Sequence, residues 1–162
     1  MNGYDIIDEA VVDAPADVVW DALVAEFRGA ARWWVPANTF ETVSGAPDEI
    51  GGRVAVTVHT KGVGNGGPKL RFTARTQSVL PGRRMTVEYV DGVFRGPADF
   101  ILEPLEEGRR TRITMHFRGR PHGKLKLLAK VADIGAEHSK ATQAAFAALN
   151  SQLASAPVGG AR

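Results

Sequence analysis

The stretch VVDAPADVVWDALVAEF, residues 11–27, decides how this chain folds. An apolar β-type run stops at Asp13–Ala14, and Pro15 opens a helix at its first position, where a missing N–H is harmless. Asp17 falls in the first turn, facing the positive end of the helix dipole. Val19, Trp20, Leu23 and Phe27 recur at helical spacing and form one apolar face. Gly29 ends the helix. A second short helix is expected over Ala30 to Trp34, with Pro36 preventing its continuation.

Outward from this segment the pattern is β-type until the last forty residues. The first strand is expected over Tyr4–Val12. Six more follow: Thr39–Ser44, Arg53–Thr60, Lys69–Leu80, Arg84–Val90, Phe94–Leu105 and Arg109–Gly119. The separators APDEIGG, KGVGNGG, PGR, DG and EEG are turn chemistry, and loops this short imply antiparallel meander pairing. Alternation assigns faces: Val54, Val56 and Val58 share one, Met85, Val87 and Tyr89 another, Ile113, Met115 and Phe117 a third. Inward sets of Leu70, Phe72, Ala74, Thr76, Ser78 and of Phe94, Gly96, Ala98, Phe100, Leu102 are expected on the two longest strands. Pro97 calls for a bulge or a later strand start. A long helix over about Lys124–Leu153 closes the domain. Its stripe Leu128, Ala132, Gly135, Ser139, Thr142, Phe146, Leu149, Leu153 is bulky at the ends and small in the middle. Interiors normally pack without large voids. Small residues on both sheet and helix therefore leave a cavity, unless the two surfaces approach closely.

The chain's 162 residues suit one domain, here 1–156, with residues 157–162 expected as a disordered tail. No cysteine is present, which removes disulfides, thiolate metal sites and cysteine nucleophiles and fits a reducing, cytoplasmic setting. The start MNGYDIIDEA lacks the order of a signal peptide, and no apolar run approaches the ~20 residues of a membrane span. Residues 1–50 hold ten acids and two bases; from Arg109 onward ten bases face only Asp133 and Glu137. Such asymmetry suits an anionic partner, or a basic late strand paired with the acidic first one. The bases lack the interleaved aromatics of a nucleic-acid binder, so nucleic acid is not expected. A homodimer is compatible with the sequence.

Residues 62–67, GVGNGG, match G-x-G-x-x-G formally. The strand-like KLRFT that follows makes them a hairpin tip rather than a dinucleotide site. His59, His116, His122 and His138 show no zinc spacing and are expected to be solvated, although His138 lies beside the small-residue stripe and could reach a cavity mouth. No G-x-S-x-G elbow is present. Asp8 enters the apolar interior if Ile6 and Ala10 point inward; the opposite parity, with Ile7 and Val11 inside, is equally allowed. No catalytic residue, cofactor or metal site is assigned. The expected cavity wall is Tyr89, Trp33, Trp34, Phe72, Phe100, Ala98, Met115, Gly135 and Ser139. Tyr89 supplies the one inward phenol, and one of the two tryptophans faces the ligand while the other serves the core.

The opening Val12-Asp13-Ala14-Pro15-Ala16-Asp17-Val18-Val19-Trp20 resembles the "i-d-A-p-x-x-V-W" start of the START-like superfamily, also called SRPBCC, which includes the birch-pollen-allergen type and the polyketide cyclase/dehydrase family. Trp33-Trp34, the segment Leu102-Glu103-Pro104-Leu105-Glu106-Glu107-Gly108 leading into Arg112-Ile113-Thr114-Met115, and the terminal helix extend the likeness along nearly the whole chain. The resemblance implies an α+β helix-grip fold: a seven-stranded antiparallel sheet wrapped around a long C-terminal helix, two short helices after strand one, and an apolar cavity between. It implies binding or transfer of a hydrophobic small molecule such as a lipid, polyketide or quinone-like compound. A cyclase or dehydratase is the alternative, and a protein-interaction module using the basic surface is a third. The superfamily shares no catalytic set, so none is carried over.

Overall fold

Seven strands pair antiparallel in the order β1–β7–β6–β5–β4–β3–β2. They are β1 (Ile6–Val12), β2 (Asn38–Ser44), β3 (Arg53–His59), β4 (Lys69–Leu80), β5 (Arg84–Gly92), β6 (Phe94–Leu105) and β7 (Arg110–Phe117). The computed structural model describes residues 3–128 and 133–154. Helix α1 (Ala16–Phe27) follows β1, and α2 (Lys124–Leu128) and α3 (Ile134–Ala154) come last. The tail 157–162, Ala132 and the side chain of Leu128 lie outside the described residues.

Period-two patterning produces the sheet as expected. On β7 Thr111, Ile113, Met115 and Phe117 are buried in strict alternation, and β5 does the same with Met85, Val87 and Tyr89. On β1 the open choice resolves with Asp8 and Val12 inward and Ile7 on the exposed side. On β4 the expected inner set holds through Thr76. A register shift between Thr76 and Ser78 then turns Ser78 outward and brings Val79 to the core instead. Pro97 lies within β6, which starts at Phe94 without delay. Its carbonyl accepts from the Arg118 N–H, but it has no N–H to return. The break falls on the partner: β7 stops at Phe117, and pairing with β6 resumes only in the two-residue β8 (Arg120–Pro121). Charge also matches across the sheet. Arg110 pairs with Asp13 at 2.6 Å, Arg112 with Glu103 at 2.6 Å, and His116 with Asp5.

Pro15 sits one residue ahead of α1 as its cap. Gly29 at φ +104° closes the helix: its N–H reaches the Glu26 carbonyl, and the Ala30 N–H reaches that of Ala25. This is a Schellman ending, which a residue in the left-handed region requires. The second short helix expected over Ala30–Trp34 does not form; the segment is a loop. Glu26, fully buried, holds the loop: its carboxylate accepts the N–H groups of Arg32 (3.0 Å), Trp33 (3.2 Å) and Trp34 (2.8 Å). Ala31 at φ +52° takes the chain out of the right-handed helical region just before these three donors. Trp33 Nε1 donates to the Ala22 carbonyl, 3.2 Å away, which ties the loop back to α1.

Glu26→Ala should lower unfolding free energy by about 2–4 kcal/mol, because it strands three buried donors. Urea unfolding followed by tryptophan fluorescence checks this. A loss under about 0.5 kcal/mol would show that the loop holds without Glu26.

Candidate functional site

Helix α3 lies along the edge strand β1 and leaves the inner faces of β3, β4 and β5 uncovered. The result is a cavity of about 580 Å³. Its sheet wall is Val54, Val56 and Val58 from β3, Leu70, Phe72 and Ala74 from β4, Met85, Val87 and Tyr89 from β5, and Phe94, Phe100, Met115 and Phe117 beyond. Phe27 and Trp34 close one end. Ile134, His138, Ala141 and Thr142 of α3 form the roof. Pro36–Asn38, the β3–β4 hairpin with Lys61 and Asn65, and Glu137 and Lys140 of α3 complete the lining where it reaches solvent. A second hollow of about 390 Å³ lies between Arg28–Gly29 and β2–β3, lined by Thr39, Glu41, Thr42 and Thr57. Phe40 and Ala55 are its only apolar side chains, so the first cavity, walled mainly by apolar ones, is the candidate site.

Two aromatic groups frame the space. Trp34 meets Phe40, Phe100 and Phe146 edge-on at 5.6–6.4 Å. At the other end Phe72 contacts Tyr89 at 4.8 Å and Phe94 at 5.1 Å, and Phe117 contacts Phe94 at 5.2 Å. Between them lie valines, Ala74 and the alanines of α3, too small to reach across.

Trp34, Phe72, Tyr89, Phe100 and Met115 lie on the cavity wall together. Trp33, Ala98, Gly135 and Ser139 do not. Trp33 and Ala98 are sealed in the core. A Cβ on Gly135 would meet Ile6 Cδ1 at 3.2 Å and the Tyr4 ring at 3.5 Å, and Ser139 Oγ donates to Asp8 Oδ2 at 3.1 Å. Gly135 and Ser139 therefore serve close approach of α3 to β1, and of the expected stripe Thr142 meets the cavity together with the neighbouring helical face.

That face carries a residue expected in solvent. His138 is largely buried, and its ring stacks on Phe117 with centroids 4.6 Å apart. Among the described residues its Nδ1 has no hydrogen-bond partner, and it lies 3.9 Å from Asp8 Oδ2. Asp8 in turn accepts from Ser139 and from Gln143 Nε2 (3.3 Å). Burial pushes the imidazole down to about 4 against the opposing pull of Asp8, so it is neutral at pH 7. The stripe offset by one residue, Ile134–His138–Ala141, is the sequence signal for this placement. Tyr89, buried on the facing wall, has a phenol raised by desolvation and no hydrogen-bond partner among the described residues. At the rim the His59 Nε2 and Thr39 Oγ1 lie 2.7 Å apart, and burial, then Lys69 and Arg71, lower the imidazole. Among the described residues no cluster of His, Asp and Glu could hold a metal ion. No helix there is long and apolar enough to cross a membrane. The site can bury an apolar body, offer a neutral imidazole and donate one phenol.

A family model described as polyketide cyclase/dehydrase and lipid transport matches residues 6–156. No curated protein sequence matches the chain. Among solved structures, a START superfamily protein from Mycobacterium smegmatis is similar over 93% of this chain and 99% of its own, at 14% identity and a TM-score of 0.69. A protein of Thermus thermophilus aligns with 94% of this chain and 100% of its own, at 18% identity and a TM-score of 0.67. The Zhui aromatase/cyclase from a Streptomyces species aligns over 90% and 93%, at 17% identity and a TM-score of 0.59. These likenesses establish the START-like helix-grip fold.

The buried imidazole makes stability depend on pH. Unfolded, His138 titrates near 6.5; folded, near 4. Between these values the unfolded chain holds the extra proton, so stability falls as pH drops through this window, by roughly 3 kcal/mol. His138→Phe keeps the stack on Phe117 and should remove most of that loss. Urea unfolding of both proteins at pH 7 and pH 4.5 checks it, and equal losses would show that His138 is not the group responsible.

Proposed function

The chain belongs to the polyketide cyclase/dehydrase and lipid transport family, and from that premise we propose that it binds a hydrophobic small molecule in the cavity between its sheet and α3. The observation that carries this reading is the cavity itself: about 580 Å³, walled by valine, methionine and aromatic side chains, and open at a rim of polar residues. Its size falls in the range of small-molecule sites. A ligand burying about 300 Å² of apolar surface gains on the order of 7 kcal/mol before the costs of association. A single hydrogen bond adds about 1 kcal/mol. Burial therefore sets affinity, and the few polar groups set which ligand is accepted.

Turnover of the bound molecule is the second reading, favoured by a buried Tyr89 phenol and a neutral His138 imidazole that both line the cavity and both contact Phe117. The Zhui protein, which shares this fold, is an aromatase/cyclase. A cyclisation or dehydration here would need Tyr89 to stabilise developing negative charge on a ligand oxygen. Tyr89→Phe would then reduce turnover more than binding, whereas in a carrier it would change affinity alone.

Ala141→Trp, on the helical side of the cavity near its rim, should block entry and leave the fold intact. With 1-N-phenylnaphthylamine as a fluorescent apolar probe, the wild type should bind saturably and the variant at least tenfold more weakly, with unchanged circular dichroism. A wild type that does not bind the probe, or a variant that binds it equally well, would contradict the proposal.

A further inference from the structure

We propose that the end of the domain where the cavity opens docks on an anionic lipid bilayer, with Val63 of the β3–β4 hairpin and Leu127 of α2 inserted among the headgroups and the neighbouring lysines paired with lipid phosphates. The proposal rests on the ligand-binding reading above and adds where the apolar molecule is taken up. Val63 is 43% exposed and Leu127 68% exposed. Val63 stands between Gly62 and Gly64 at the hairpin tip. A Cβ added to Gly64 or Gly66 would meet nothing within 4 Å, so the tip projects clear of the domain. On α2 the buried Leu125 faces the core and leaves Lys124, Lys126 and Leu127 outward. Backbone hydrogen bonds place α2 at the hairpin's end of the sheet. His59 pairs with Lys69 where the hairpin leaves β3 and β4. The Val93 N–H donates to the Arg71 carbonyl at 3.0 Å, and the His122 N–H donates to the Val93 carbonyl at 2.7 Å, two residues before α2 begins.

Charge decides what this end meets. Lys61, Lys69, Arg71, Lys124, Lys126 and Lys140 are exposed there, and none makes an ion pair among the described residues. Lys61 and Lys140 stand at the cavity mouth itself. The acids at this end are Asp91, Asp133 and Glu137, and Asp133 is engaged in capping α3 by accepting the Ala136 N–H at 2.9 Å. A single exposed apolar residue needs no partner. Two of them, flanked by unpaired cations at the end where an apolar cavity opens, match a surface that is anionic outside and apolar beneath. A protein partner would need a contiguous apolar core to grip, whereas Val63 and Leu127 stand on separate elements. Nucleic acid would pair with the cations and leave both apolar side chains in water. In a bilayer each side chain inserts on its own, and the lysine stems lie along it while their ammonium groups reach the phosphates. An apolar molecule then passes from the acyl chains to the cavity without crossing water.

Co-sedimentation with phosphatidylcholine vesicles, with and without phosphatidylglycerol, tests this. The wild type should bind the anionic vesicles about tenfold more tightly or better, and high salt should remove most of that preference. Val63→Asp combined with Leu127→Asp, and Lys124→Glu combined with Lys126→Glu, should each weaken vesicle binding about tenfold. None of the four lines the cavity, so binding of 1-N-phenylnaphthylamine in solution should stay as in the wild type. The chain has no cysteine, so Val63→Cys, Leu127→Cys and, at the far end of β4, Leu80→Cys can each carry a single NBD fluorophore. On anionic vesicles the first two labels should brighten and shift to the blue, and the third should not. The labels sit at exposed positions, so this measurement stands if a charge variant fails to fold. No vesicle binding, equal emission changes at all three labels, or binding that salt removes but Val63→Asp with Leu127→Asp leaves intact, as at a general polyanion site, would overturn the docking surface while dye binding preserves the cavity reading. Failure of the dye to bind the wild type in solution would overturn the cavity reading itself and the docking with it.

Discussion

Everything in this molecule depends on where α3 is attached. The helix lies against β1, one edge of the sheet, and the attachment is tight because Gly135 and Ser139 let it approach Ile6 and Asp8 closely. Asn150 adds a tether by accepting the Asp13 N–H at 2.8 Å. A helix held so near one edge cannot also lie on β3 and β4, which are at the other side of the strand order. The apolar faces of those strands consequently look into space. Close packing on one side produces the cavity on the other, and the small residues that first suggest room are the ones that remove it.

The second constraint is the corner after α1. Glu26 gathers three backbone donors and so positions Trp33 and Trp34, one as a sealed core residue and one as the end wall of the cavity. A buried carboxylate is expensive to desolvate, and it persists here because every nearby donor is aimed at it. Asp99 shows the same logic on the convex side. It is buried between Arg118 at 2.6 Å and Arg84 at 3.4 Å, so its charge is matched where it is covered.

The strands were legible because period-two alternation directly encodes a half-buried sheet, and β4 and β6 have the bounds that their pattern predicts, Lys69–Leu80 and Phe94–Leu105. The loop at Ala30–Trp34 was not legible, since neither the positive φ of Ala31 nor the Glu26 carboxylate that holds the following N–H groups is visible in local spacing. Half of the cavity wall could be read from strand parity: Phe72, Tyr89, Phe100 and Met115 all follow it. The helical side could not. Which face of α3 meets the sheet depends on whether small residues mark space or contact, and composition is the same in both cases. His138 was hidden for that reason, and Asp8 because both parities of β1 fit the apolar pattern equally well.

An apolar molecule received between β3–β5 and α3 must touch the side chains of the cavity wall. Methyl-resolved NMR with an apolar probe tests that contact most directly, because the wall is rich in methyl groups. Saturating the protein with 1-N-phenylnaphthylamine should shift the methyls of Val54, Val56, Val58, Leu70, Met85 and Met115, which line the cavity. Those of Ile7, Val43, Ile50 and Leu80, exposed on the surface, should stay in place. Shifts confined to the surface set, or no saturable shift among the wall methyls, would contradict the account.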